Sequence, residues 1–105
     1  MASDKEEAAG AAWKGADLER PLEGEDPESG SLAEAQRWIA VYHHLVNLEQ
    51  QLLDLLAKFI PAMPGAARKE AEETNLPVLA SQIERFRHRL AFWQKRRDEI
   101  EQQRK

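Results

Sequence analysis

Three histidines, His43, His44 and His88, are the side chains of this chain best suited to bind a metal. Metal sites in four-helix bundles pair a histidine with a glutamate three residues earlier, which puts both ligands on one inward face. None of the three histidines has a glutamate at that spacing. Glu84 precedes His88 by four residues, but the arginines around this pair would repel a cation. We therefore predict no metal site and no cofactor.

Nucleophilic catalysis needs a serine, threonine or cysteine beside a base, and the sequence offers no such pair. The chain has no cysteine, which also excludes disulfides and cysteine-based zinc sites. No serine stands within one helical turn of a histidine, and Ser31 is better explained as a helix cap. The glycines are scattered and form no phosphate-binding loop. The sequence thus predicts no catalytic residue and favours an interaction protein over an enzyme.

A strip of basic residues in the C-terminal third is the strongest charge feature of the chain. Arg85, Arg89 and Arg96 belong to it, and aromatic side chains interleave with its cations. Because a basic helical face can neutralise phosphate groups, these three arginines are candidate nucleic-acid contacts. The pI near 5.4, however, argues against a dedicated nucleic-acid binder. Nucleic-acid binding is therefore the second hypothesis for this chain.

The first 30 residues are acidic and poor in aliphatic side chains. They carry nine of the 19 acidic residues and three of the 15 basic ones, in a chain of net charge −4. Such a composition cannot bury enough apolar surface to offset chain entropy, so we predict a disordered tail over residues 1–30. This tail could also fold back on the basic strip and screen its charge. Trp13, the largest apolar side chain in the tail, is a candidate docking motif for another protein.

Residues 31–60 have the pattern of a long amphipathic helix. Ser31 and Glu34 match the capping box, in which two side chains bond free backbone N–H groups of the first turn. Pro61 disfavours a helical residue before it, so the helix is expected to end near Ile60.

A second helix is predicted over about residues 76–103. Thr74 or Asn75 is the expected cap, and Pro77 suits the first turn, where its missing N–H is tolerated. Residues 61–75 contain proline and glycine followed by good helix formers, which predicts a connection with a short helix. Two helices of matched length with such a connection favour an antiparallel hairpin.

The first predicted helix carries two apolar stripes side by side. Seven-residue spacing places the first stripe on one line, which we expect to pack against the second helix. The first stripe consists of Trp38, Val41, Leu45, Leu48, Leu52, Leu55 and Phe59. The second stripe consists of Leu32, Ile39, Tyr42, Val46, Glu49, Leu53, Leu56 and Ile60. One partner helix cannot cover both, so the second stripe is the predicted interface.

A symmetric homodimer that forms a four-helix bundle would cover this predicted interface. A helix of another protein laid along the same stripe is the alternative. Glu49 is the polar member of the stripe, and its predicted partner is Arg85, Arg87 or a basic residue of the second copy.

The second predicted helix carries one apolar stripe with a single interruption. Its members are Leu76, Leu79, Ile83, Phe86, Leu90, Trp93 and Ile100. Arg97 stands at the interrupted position, opposite Trp38 in an antiparallel pairing. Two interpretations remain open: Arg97 stacks on Trp38 in a cation–π contact, or its side chain extends to water.

The predicted fold class is all-α: an antiparallel, coiled-coil-like two-helix hairpin that dimerises into a four-helix bundle, with a disordered acidic N-terminal tail. No run approaches the roughly 18 apolar residues of a membrane span, and no signal peptide is recognisable, so a soluble, cytoplasmic protein is expected. The favoured function is a small non-enzymatic adaptor, scaffold or regulatory subunit that acts by helix–helix recognition.

Overall fold

Two long helices dominate the part of the chain that the computed structural model describes, residues 17–104. Helix α1 spans Leu32–Phe59, a short helix α2 spans Gly65–Glu70, and helix α3 spans Leu76–Gln103. The described residues contain no strand. Helices α1 and α3 have 28 residues each and pack against one another, which confirms the predicted all-α helical hairpin.

The two long helices run antiparallel. Tyr42 of α1 and Trp93 of α3 bond the same carboxylate near the open end of the hairpin. Nearer the connection, Arg87 of α3 donates to Gln50 of α1 at 3.0 Å. Positions therefore rise along α1 as they fall along α3, as the matched lengths of the helices predict.

Helix α1 begins as its sequence predicts, with one half of the capping box formed. The side chain of Ser31 accepts from the backbone N–H of Glu34 at 3.2 Å. The Glu34 carboxylate accepts from Trp38 Nε1 at 3.1 Å. The cation that stacks on Trp38 is Arg37, 5.3 Å from the ring centroid, whereas Arg97 donates to Asp98.

The connection from α1 to α3 differs from the sequence prediction at its second cap. After a 3₁₀ turn over Ile60–Ala62, helix α2 continues into α3 through a π-helical turn over Ala71–Asn75. Asn75 has helical dihedrals and caps nothing with its side chain. The wider π turn lets the chain remain helical as it approaches Pro77, which cannot donate to an α-helical ladder. Helix α3 therefore begins at Leu76 as predicted, but the predicted side-chain cap is absent at Asn75.

The structure also differs from the sequence prediction in which side of α1 faces α3. The sequence predicts that the first stripe packs on α3, but the second stripe is the more buried of the two. Its members Tyr42 and Ile60 are buried, at 0% and 7% exposed, and Ala35 beside it is 0% exposed. The C-terminal half of the first stripe is left in solvent, with side chains 44–53% exposed. These residues form what we name the exposed ridge: Leu48, Leu52, Leu55 and Phe59.

None of the eight residues predicted as the interface is exposed. Tyr42 and Ile60 are buried within a single chain, and the other six are half-buried. Tyr42 and Ile60 thus offer little or no surface to a second molecule, and the interface as a whole stays a prediction. Helical periodicity could not decide between the stripes, because they lie side by side and either can face α3.

Residues 17–31, which we name the N-terminal segment, lie across both long helices as a series of turns. Three backbone hydrogen bonds close these turns, from Arg20 to Asp17, from Glu25 to Leu22 and from Ser29 to Asp26. The predicted disorder thus does not extend to residues 17–30. The prediction of disorder considers only the apolar area that the segment can bury. It does not include the buried ion pair between Glu25 and Arg89, which holds the segment on the helices. The predicted disorder of residues 1–16, and the docking motif at Trp13, lie outside the described residues.

Gly24 allows the turn that brings Glu25 onto the helices. Its φ of +90° lies in a region that side-chain-bearing residues rarely adopt, whereas a Cβ there would meet nothing closer than Trp38 at 4.0 Å. Gly24→Ala is therefore expected to lower the free energy of unfolding by about 1–2 kcal/mol through backbone strain, as measured by urea denaturation. Gly30→Ala is the matched control, because Gly30 has open space around it and should change stability by less than about 0.5 kcal/mol. Equal effects of the two substitutions would contradict this account of the turn.

Candidate interaction surfaces

A buried carboxylate joins the N-terminal segment to both long helices. The turn closed at Glu25 carries its side chain into the groove between α1 and α3. Tyr42 reaches it from α1, and Arg89 and Trp93 reach it from successive turns of α3. The four-residue spacing of Arg89 and Trp93 places both donors on one face of the helix.

Both oxygens of this carboxylate are satisfied by hydrogen bonds. Glu25 Oε1 accepts from Arg89 Nη2 at 2.8 Å and from Trp93 Nε1. Glu25 Oε2 accepts from the hydroxyl of Tyr42 and from the backbone N–H of Leu22. The side chain of Glu25 is 0% exposed and that of Arg89 is 2% exposed. The ion pair is therefore shielded from water, and removal of either partner would leave a buried charge alone.

Hydrogen bonding decides the charge of Glu25. Burial by itself raises the pKa of the carboxyl, but its four donors together outweigh burial and hold the pKa below its ordinary value of 4.5. Burial, the hydrogen bond to Glu25 and the charge of Glu25 raise the pKa of Tyr42 to about 12. At neutral pH the site therefore holds an ionised Glu25 and a protonated Tyr42.

The alkaline titration of Tyr42 tests this arrangement directly, because the chain has one tyrosine and its tyrosinate absorbance reports on this site alone. The folded protein is expected to titrate at about 12, against 10.0 for an ordinary tyrosine. Since the folded-state pKa is raised, the stabilisation from Tyr42 is complete below pH 10.0 and is lost as pH rises through about 12. Glu25→Gln should move the midpoint towards 10.0. An ordinary midpoint in the folded wild type would contradict the buried hydrogen bond.

The N-terminal segment covers the basic strip of α3 beyond Glu25 as well. Arg96 donates to the backbone oxygens of Ser29 at 3.1 Å and of Glu28 at 3.4 Å. His88 lies in contact with the carboxylate of Glu19. These contacts confirm, for the described part of the tail, the fold-back that its acidic charge predicts.

The three arginines predicted to contact nucleic acid are all at least partly withdrawn from solvent. Arg85 is 3% exposed and Arg89 is 2% exposed, while Arg96 is partly buried. Arg89 and Arg96 bond to the acidic N-terminal segment, and Arg85 is buried. The negative charge above them opposes the approach of a phosphate backbone.

Arg85 is a buried cation whose hydrogen-bonding capacity is incompletely used. Its guanidinium lies 4.8 Å from the ring centroid of Phe86, and its Nε has no hydrogen-bond partner. Burial lowers the pKa of Arg85, and the charge of Arg20 in the N-terminal segment lowers it further. The charge of Glu25, in the same segment, acts in the opposite direction and raises the pKa of Arg85.

The first stripe of α1 is covered at one end and bare at the other. Trp38 is 5% exposed and lies beside Gly24 of the N-terminal segment, while Val41 and Leu45 are half-buried. From Leu48 onwards the same helical face continues as the exposed ridge. Several large apolar side chains on one face of a soluble helix are typical of an interaction surface.

Glu49, beside the exposed ridge, does not form the pairs predicted within the chain. Arg87 donates instead to the neighbouring Gln50, and Glu49 Oε2 is buried without a hydrogen-bond partner. Burial raises the pKa of this carboxyl. Pairing of Glu49 with a basic residue of a second copy stays a prediction.

Sequence reasoning missed Glu25, the residue that organises the groove. Nine acids precede Ser31, and nothing in their spacing distinguishes this one. The single local signal is Gly24, whose position one residue earlier is suited to a tight turn. That turn indicates a change of direction but not what its next side chain contacts.

The described residues hold no cluster of three or more histidine, cysteine or acidic side chains suited to a metal ion. Within residues 17–104, neither long helix combines the length and apolar character needed to cross a membrane. No protein-family model matches the chain, and neither a curated protein nor a solved structure is significantly similar to it. The functional conclusion therefore rests on the two surfaces described above.

Proposed function

We propose that this chain is a small non-enzymatic interaction protein that recognises another helix through the exposed ridge. Its role is that of an adaptor, scaffold or regulatory subunit. The partner helix is α1 of a second copy of the chain, so that two hairpins form a four-helix bundle.

The exposure of the ridge carries this proposal. Leu48, Leu52, Leu55 and Phe59 are 53%, 44%, 52% and 53% exposed, and they follow one another at helical spacing on one face. Burying a large aliphatic or aromatic side chain contributes about 1.5–3 kcal/mol. A partner that covers the four side chains of the ridge would therefore gain a large free energy of association, which the single chain does not obtain. A surface of this kind is what helix-in-groove and helix-pairing interactions use.

A second copy is favoured as the partner because it presents the matching surface. In a two-fold symmetric pair, one patch meets the same patch, so an apolar stripe is automatically opposed by an apolar stripe. The ridge runs over 12 residues of α1, about 17 Å along the helix axis, which is long enough for three turns to interdigitate. A partner could also satisfy the free oxygen of Glu49 beside the ridge.

Light scattering of the full chain over a concentration series tests the proposal. A mass that rises with concentration towards twice the 12.0 kDa of one chain is the expected result. A monomer that persists at the highest concentration would contradict pairing between copies. The helical signal should be recorded in parallel, so that an unfolded monomer is not mistaken for a folded one.

A further inference from the structure

The two flanks of the exposed ridge carry complementary polar groups. His44 lies one helical turn before Leu48 on one flank, and its side chain is exposed. Glu49 follows Leu48 on the other flank, and its Oε2 is buried without a hydrogen-bond partner. A buried acceptor that is left unpaired destabilises the state that contains it. A molecule that covers the ridge is therefore bound more tightly if it brings a donor to Glu49.

The ridge has the residue spacing of a two-stranded coiled coil. Its four residues follow one another at steps of four, three and four positions, which is the spacing of the d and a positions of a heptad. In the same heptad, His44 occupies a g position and Glu49 occupies an e position. Side chains at g and e flank the apolar seam of a coiled coil. Polar pairs between them select the partner helix and its direction.

A parallel pair of ridges brings these two flanking groups together. In a parallel coiled coil, each g side chain lies beside the e side chain that is five positions later on the other helix. His44 and Glu49 are five positions apart. Two-fold symmetry forms the contact twice, with His44 of each copy beside Glu49 of the other. Because a neutral or a protonated imidazole can donate to a carboxylate, the contact supplies the missing partner of Glu49.

An antiparallel pair centred on the ridge does not supply this partner. In that pair Leu48 of one copy faces Phe59 of the other, and each flank meets the same flank of the second copy. Glu49 then lies beside Leu56, whose side chain has no hydrogen-bond donor. The parallel direction is therefore the one that satisfies the buried oxygen.

We infer that two copies pair through the exposed ridge in the parallel direction, with His44 of each copy donating to the Glu49 carboxylate of the other. This inference rests on the proposed function, because it requires self-association through the ridge. It adds the relative direction of the two copies and the polar contact that selects this direction. The open ends of both hairpins, with their N-terminal segments, then lie at the same end of the four-helix bundle.

Disulfide cross-linking of the full chain tests the direction, because the chain has no cysteine of its own. A disulfide requires Cα atoms within about 7 Å of each other. In a parallel pair the two cysteines of the Leu48→Cys variant face each other, whereas in the antiparallel pair they stand about 16 Å apart along the helix axis. Leu48→Cys alone is therefore expected to form a covalent dimer in oxidised glutathione. A mixture of the Leu48→Cys and Phe59→Cys proteins is the control, because the antiparallel pair alone would join one variant to the other.

The dissociation constant of the dimer tests the polar contact. His44→Glu places like charges together at both symmetric contacts, so it should weaken the dimer about tenfold. His43→Glu is the matched control, because His43 is exposed, lies off the ridge and undergoes the same change of charge. It should change the dissociation constant by less than about twofold. In a Glu49→Gln background, where the repelling carboxylate is absent, His44→Glu should weaken the dimer by less than about threefold.

The possible results distinguish this inference from the proposed function. A wild-type protein that stays monomeric in light scattering contradicts both. A wild-type dimer in which Leu48→Cys is joined to Phe59→Cys, and not to itself, overturns the parallel direction and leaves the proposed function intact. Equal effects of His44→Glu and His43→Glu overturn the contact with Glu49. The affinity measurements do not use the cysteine variants, so they test the contact even where Leu48→Cys lowers the amount of dimer.

Discussion

Replacement of Glu25 by alanine is expected to lower the free energy of unfolding by about 3–5 kcal/mol, the largest effect of any single substitution considered for this chain. The variant leaves the buried guanidinium of Arg89 without its carboxylate, and it removes the acceptor for Tyr42 and Trp93. A small domain has about 5–15 kcal/mol of stability in total, so a loss of this size is a large fraction of it. Thermal unfolding followed by circular dichroism should show a midpoint lower by more than about 10 °C.

Glu23→Ala is the matched control for this substitution. Glu23 belongs to the same turn and carries the same charge, but its side chain is exposed. The free energy of unfolding of the Glu23→Ala variant should lie within about 0.5 kcal/mol of that of the wild type. If Glu25→Ala is no more harmful than Glu23→Ala, the N-terminal segment contributes little to the fold and the buried ion pair does not exist in solution.

The dependence of the free energy of unfolding on acid pH is a second test of the buried Glu25 site. The folded-state pKa of Glu25 lies below its ordinary value of 4.5. The stabilisation from its ionisation is therefore present in full above pH 4.5 and is lost as pH falls through the lower, folded-state value. Glu25→Gln removes this titration, so the variant should lose less stability than the wild type between pH 4.5 and more acidic conditions.

The second large effect is expected for Leu52→Asp, which should abolish self-association. Leu52 lies in the middle of the exposed ridge and is 44% exposed in the single chain. In a symmetric pair the substitution occurs twice, and each copy loses the burial of a leucine and gains a carboxylate in an apolar interface. A loss of about 3 kcal/mol or more corresponds to at least about a hundredfold weaker dimer. Light scattering should then report a monomer where the wild type is dimeric.

Asn47→Asp controls for the added charge on α1. Asn47 is exposed and lies off the ridge, so its variant should have the same mass in solution as the wild type. Both variants should keep their helical signal, because neither position is part of the buried core. A dimer that survives Leu52→Asp would place the contact between copies elsewhere on the hairpin.

The two surfaces are related through the first stripe of α1. Its N-terminal end, at Trp38, lies under the N-terminal segment, and its C-terminal end is the exposed ridge. One helical face thus serves an internal contact at the open end of the hairpin and faces solvent nearer the connection. Substitutions in the turn at Gly24 and on the ridge at Leu52 should therefore separate stability from self-association.

The sequence by itself determined the helical elements of this protein, because helices depend on local patterns. The apolar spacing along α1 and α3 predicted both helices, Ser31 predicted the cap, and Pro61 predicted the end of α1. The excess of acids before Ser31 and of bases on α3 predicted that the two would meet. All of these signals come from residues that are close in the chain or from net charge. None of them depends on which faces of the helices pack together.

Only the tertiary structure decided how α1 is rotated and which acid is buried. Both stripes of α1 satisfy the helical period, so the face turned to α3 depends on packing against the whole core, including Tyr42 and Phe86. The choice of Glu25 depends on side-chain donors that stand 17 to 68 residues away along the chain. Such long-range contacts leave no local pattern, and the exposed ridge that results from them could not be located from spacing alone.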